Sequence, residues 1–115
     1  MPVDRSQPES GLAVIAIDGE VDYANAHEII DAVTASIDEW GPRTICVDLA
    51  SVVFMDSMGI SALITAYRMT TATGAAFAVV NPSRFTLSLL SVTGLVDVFG
   101  LSTQEDRLSG APETT

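Results

Sequence analysis

Val52-Val53-Phe54-Met55-Asp56-Ser57-Met58-Gly59-Ile60 is an apolar run that breaks at Asp-Ser and passes directly into a helical pattern. The chain therefore turns from a buried segment into a helix N-terminus at Asp56-Ser57. Such an end holds unpaired N–H groups and the positive end of the macrodipole, so it tolerates added negative charge. Ser57 is a place where a phosphate could sit. Asp and Ser are also common N-cap residues, and on the dipeptide alone capping is the commoner role.

Upstream, Thr44-Ile45-Cys46-Val47-Asp48-Leu49 reads as a buried strand, with residues 50–55 as the link to Asp56. Downstream, Ile60, Leu63, Ile64 and Tyr67 share one helix face, and Gly74 ends that helix. Residues 75–80 form a further apolar strand. Asn81-Pro82 then suggests a cap with proline at the first helical position. Phe85, Leu89 and Val92 mark the face of this helix, and Gly94 closes it. Residues 96–101 read as a last strand interrupted by Asp97, residues 103–108 as a short helix, and 109–115 as a fraying tail.

Towards the N-terminus, residues 12–17 form a buried strand closed by Asp18-Gly19. Asn25 is the expected N-cap of the following helix, with Glu28 at capping-box spacing. Ala26, Ile29, Ile30, Val33, Ile37 and Trp40 repeat with a period near 3.6, and Gly41-Pro42 stops the helix. Residues 1–10 are polar, hold two prolines and are expected to be loosely ordered.

Strands thus alternate with helix-sized connections, which predicts parallel pairing through right-handed crossovers. The strands are apolar throughout, as expected for a sheet covered where they lie. The expected architecture is one α/β domain over 11–108, with a mixed four- to five-stranded sheet and helices packed against it. A chain of 115 residues has room for one core.

The hydrophobic fraction of 48% is that of a globular chain. Fifteen acidic against five basic residues leave a net charge of −10, which argues against nucleic-acid binding and against an anionic membrane surface. An acidic surface suits a basic protein partner. No apolar run reaches the ~18–20 residues of a membrane span. The first residues, Met1-Pro2-Val3-Asp4-Arg5, lack the layout of a signal peptide, so a cytoplasmic location is expected.

Catalytic sets are poorly supported. There is neither a P-loop nor a dinucleotide-binding glycine pattern. One histidine, His27, and one cysteine, Cys46, make a zinc site improbable, and Cys46 reads as a small buried thiol. A triad of Ser57, His27 and Asp22 has no spacing that specifies it. Glu20 and Asp22 fit the helix dipole better than acid–base work. No enzyme activity, cofactor or metal is expected.

The ordered set Gly19-Glu20-Val21-Asp22, Phe54-Met55-Asp56-Ser57-Met58-Gly59-Ile60 and Gly94-Leu95 resembles a STAS domain. More narrowly, it resembles the bacterial anti-sigma factor antagonists. The resemblance implies a protein that binds an anti-sigma factor and so releases a sigma factor. The implied partners are an anti-sigma factor that is an ATP-dependent serine kinase and a metal-dependent PP2C-type phosphatase. It implies that Ser57 is the phosphoacceptor and that Asp22 lies near it. Partner binding is expected of Asp22, Tyr23, Asn25, Asp56, Ser57, Met58, Gly59 and Ile60. Two features depart from the pattern. Met58 stands where a small hydroxylated residue is usual, and Val3 to Ser6 is a poor match for the strand that often precedes Leu12. The alternative function is a STAS subunit without a phospho-switch, in a membrane-transport or lipid-trafficking complex.

Overall fold

The computed structural model describes residues 1–96 and 98–100. Four strands, β1 (Val3–Glu9), β2 (Leu12–Val21), β3 (Thr44–Met55) and β4 (Ala76–Val80), form one sheet in the order β1-β2-β3-β4. β1 is antiparallel to β2, whereas β2, β3 and β4 are mutually parallel. The parallel pairs are joined by α1 (His27–Trp40) and α2 (Ser57–Ala72), and α3 (Arg84–Val92) follows β4. The α/β domain with a mixed sheet expected from the sequence is therefore present.

Both crossover helices pack on one face of the sheet. Ala13, Ile15, Ile17, Ile45, Val47, Leu49, Phe77 and Val79 point to that side and are buried. Ile29 and Val33 of α1 and Ile60 and Leu63 of α2 meet them. Tyr67, Phe77 and Phe99 add an edge-to-face cluster with centroids 5.7–6.2 Å apart. The other face carries Leu12, Val14, Ala16, Cys46, Ala78 and Val80 at half burial. The apolar strands are thus covered fully on the helix side and only in part on the other.

The N-terminal segment is a strand, not a loose extension. Val3, Asp4, Arg5 and Ser6 pair with Ile17, Ala16, Ile15 and Val14. Successive side chains of β1 point to opposite faces, so only alternate residues can be anchored on the helix side. Val3 packs against the core, and the Arg5 guanidinium lies 4.9 Å above the Trp40 ring and 2.9 Å from Glu39. This aliphatic-stemmed cation serves as an inward residue, so the polar look of the segment was misleading. Pro8 falls where the register shifts between Ser6 and Glu9, a place where a strand tolerates proline.

Three other boundaries differ from expectation. β2 and β3 run on to Val21 and Met55, so the expected link 50–55 is strand. Asp18-Gly19 is not a terminator; the register shifts on either side of Gly19, whose φ is +95°. α3 is capped by Ser83, whose hydroxyl accepts from the Thr86 N–H at 3.1 Å, rather than by Asn81. Its buried side is Thr86, Leu87 and Leu90, while Phe85 and Val92 are exposed and Leu89 is half-buried.

The expected last strand also changes. Val96 and Val98 to Gly100 are turns, although the Phe99 carbonyl accepts from the Val79 N–H at 3.1 Å on the outer edge of β4. The short helix over 103–108 and the tail 109–115 lie outside the described residues.

Candidate functional site

The ends of β2 and β3 set the site. Val21 and Met55 are parallel partners, and the Asp56 N–H donates to the Val21 carbonyl at 3.0 Å. The turn after β2 and the start of α2 are therefore neighbours on one rim of the sheet, as the strand order predicts. Five predicted residues come together there on the surface: Asp22, Tyr23, Asp56, Ser57 and Met58.

Asp56 is the N-cap of α2. Its extended backbone lets Oδ1 accept from the Met58 N–H at 2.9 Å and the Gly59 N–H at 3.1 Å. Two of the orphan donors are thereby satisfied by one carboxylate. Ser57, the first helical residue, is exposed and is not the capping group. Its hydroxyl therefore faces outward from a helix start that another side chain already stabilises.

Gly59 is buried because the first turn of α2 sits tightly on the strand ends. A Cβ there would press on Met55 and lie 2.9 Å from Cγ1 of Val21. Ile60 is 6% exposed and belongs to the core. Both were expected to touch a partner; both lie buried, against the strand ends and in the core.

The turn after β2 is held by its own side chains. The Asp22 carboxylate accepts from the Ala24 N–H at 3.0 Å. Asn25 Oδ1 accepts from the Asp22 N–H at 2.9 Å, and its Nδ2 donates to the Glu20 carbonyl at 2.9 Å. Asn25 is thus a turn clamp rather than the N-cap of α1, which starts at His27 behind Ala26 without a side-chain cap. The clamp leaves Tyr23 80% exposed. Tyr23 and Met58, the latter 49% exposed, both line a groove of about 240 Å³ between α1 and α2.

On the α3 side of the same rim lies a patch that the sequence reading missed. Phe54 stacks on Phe85 with centroids 6.0 Å apart, both rings partly open to solvent beside the exposed Val53. Phe54 is in the motif and Phe85 follows the cap, but their stacking requires α3 to return beside β3. Ser83 caps α3 two residues before Phe85, and Phe85 lies on the exposed side of that helix.

Cys46 is half-buried on the open sheet face. Burial, and secondarily the negative charge of Asp48, push its thiol pKa up. It is thus a poor nucleophile at neutral pH. Among the described residues, no group of His, Cys, Asp and Glu could hold a metal ion, and no helix is long and apolar enough to cross a membrane.

Solved structures share this fold. The chain resembles an anti-sigma factor antagonist from Mycobacterium paratuberculosis with a TM-score of 0.76 and 26% identity, over 97% of this chain and 94% of that one. SpoIIAA, an anti-sigma factor antagonist, matches in its unphosphorylated form with a TM-score of 0.75 and 23% identity over 97% and 100% of the two chains. Its phosphorylated Bacillus form matches at 0.69 and 21%, over 95% and 98%. Murine Slc26a9, an anion transporter, matches at 0.68 and 23%, over 80% of this chain and 15% of the transporter. No curated protein matches the chain. The STAS domain family model matches residues 5–108, nearly the whole length, and the chain belongs to the STAS domain family.

Proposed function

We propose that this protein is an anti-sigma factor antagonist, a binding protein switched off by phosphorylation of Ser57. One observation carries the reading: Ser57 is exposed at the first position of α2 while Asp56 does the capping. The hydroxyl is free for modification without dismantling the helix start. The partner is an anti-sigma factor with serine-kinase activity. The Ser57 Oγ attacks the γ-phosphorus of ATP, the bond to the β-phosphate oxygen breaks, ADP leaves, and the hydroxyl proton passes to a base on the kinase. A metal-dependent PP2C-type phosphatase hydrolyses the ester and restores the serine.

The physics of the switch follows from the rim. A seryl phosphate brings about −1.5 to −2 charges at pH 7. Asp56 already holds the Met58 and Gly59 N–H groups, so the phosphate stays outside the cap, facing the partner. Burying it there costs desolvation, and each ~1.4 kcal/mol lowers affinity tenfold. Asp22, Tyr23, Asp56 and Met58 flank the site and form the contact surface, with Asn25, Gly59 and Ile60 holding its shape.

The test is to incubate the chain with ATP and each candidate anti-sigma kinase of its organism, then map the phosphate. The reading expects Ser57 to be modified and Ser57→Ala to be inert while still folded. Phosphate on another residue, with Ser57 bare, overturns it. The likeness to Slc26a9 supports a second reading, a STAS module without a phospho-switch; no modification by any kinase, with retained binding to a membrane transporter, selects it.

A further inference from the structure

We propose that the groove between α1 and α2 receives one apolar side chain of the anti-sigma kinase, presented on a basic surface, with Tyr23 and Met58 as its walls. The inference rests on the antagonist reading and adds the docking chemistry. At about 240 Å³ the groove is larger than a ~150 Å³ cavity that admits benzene, so it takes one branched or aromatic side chain. Ala26, Ile30 and Ala62 give it an apolar floor, His27, Ser61 and Thr65 add polar edges, and Tyr23 and Met58 line it with side chains largely open to solvent. An exposed aromatic beside an adaptable thioether is the composition of an interface centre, not of a solvated helix face.

Charge decides the partner's character. Glu20, Asp22 and Asp56 stand at the rim, and Glu28 and Asp31 lie along α1. α1 carries no lysine or arginine, and the whole chain has no lysine. An apolar anchor surrounded by arginine or lysine therefore fits this groove, and an acidic one is repelled. Position does the rest. The Met58 N–H is held by Asp56, so the backbone that carries this wall is fixed one residue from the phosphoacceptor, while the thioether stays free to adapt. An anchor seated against Met58 brings the kinase to the Ser57 hydroxyl, and the phosphate it leaves stands at the mouth of the groove.

The experiment measures steady-state phosphorylation of Ser57 by the kinase that modifies the wild-type chain. Met58→Ala removes a wall, and Ser61→Trp, from an exposed lining position, fills the groove. Ser88→Trp, exposed on α3, is the control. KM should rise about tenfold or more in the first two variants, the change expected when one buried apolar contact is lost, with kcat within about twofold of wild type. The control should match wild type, and melting curves should show all three folded. An unchanged KM in both groove variants overturns the groove and leaves the antagonist reading intact. A fall in kcat alone, or an equal KM rise in Ser88→Trp, also overturns it. Failure of every kinase to modify wild-type Ser57 overturns both.

Discussion

Replacing Asp56 separates the two ways a carboxylate can support a helix start. Asp56→Ala removes the acceptor of the Met58 and Gly59 N–H bonds, at 2.9 and 3.1 Å, and also removes the charge at the positive end of α2. Loss of such a cap costs about 1–2 kcal/mol. Asp56→Asn keeps an oxygen at the same reach and loses only the charge–dipole part, about 0.3–1 kcal/mol. Unfolding entropy near ~2.1 cal/mol/K per residue gives roughly 240 cal/mol/K for 115 residues, so each kcal/mol shifts Tm by about 4 °C. The expected losses are therefore about 4–8 °C for alanine and about 1–4 °C for asparagine. Scanning calorimetry at low and high salt reads both, and the asparagine loss should shrink with salt. Equal losses for the two variants would refute the hydrogen-bonded cap. An alanine variant as stable as wild type would show that Ser57 does not sit on a helix start held by Asp56.

Two further outcomes follow from packing and titration. Gly59→Ala should lower Tm, because overpacking against Val21 and Met55, about 1–3 kcal/mol, outweighs about 0.5–1 kcal/mol of gained helix propensity; an unchanged or raised Tm in calorimetry contradicts the close approach. The Cys46 thiol pKa is raised in the folded chain, so folding holds a proton that the unfolded chain releases above about pH 8.5. That contribution is present below the ordinary thiol pKa and is lost as pH rises through the raised one. Cys46→Ala should flatten the alkaline fall of stability in denaturant titrations, and an identical slope in both proteins contradicts the assignment.

The central fold was legible because its signals are long. The apolar runs of β2, β3 and β4 are separated by helical periods whose faces, Ile29 and Val33 in α1 and Ile60 and Leu63 in α2, are those that meet the sheet. Edges and short elements were harder. β1 is anchored on alternate residues only, and one of these is Arg5, whose stem over Trp40 does what an apolar residue does elsewhere. For α3 the expected cap was Asn81 and the expected face Phe85, Leu89 and Val92; Ser83 instead bonds the Thr86 N–H, and tertiary packing buries Leu87 and Leu90 while Phe85 and Val92 stay exposed.

The candidate site divides in the same way. Asp56-Ser57 was readable as a helix start because a carboxylate, a hydroxyl and a change of period coincide there. The separate jobs of the two residues were not, since either side chain could have capped. The Tyr23–Met58 groove and the Phe54–Phe85 stack bring together residues more than 30 positions apart, and only the packing of α1 on α2 and of α3 beside β3 creates them. Asn25 looked like a cap because it precedes a helical period, yet its amide closes the turn between Glu20 and Asp22.

The most direct test is isothermal titration of the anti-sigma factor with the unmodified chain and with the chain stoichiometrically phosphorylated on Ser57. A phosphate outside the Asp56 cap should leave the melting curve near that of the unmodified protein and weaken partner binding at least about tenfold, a difference of ~1.4 kcal/mol. Equal affinities for the two forms would contradict the switch.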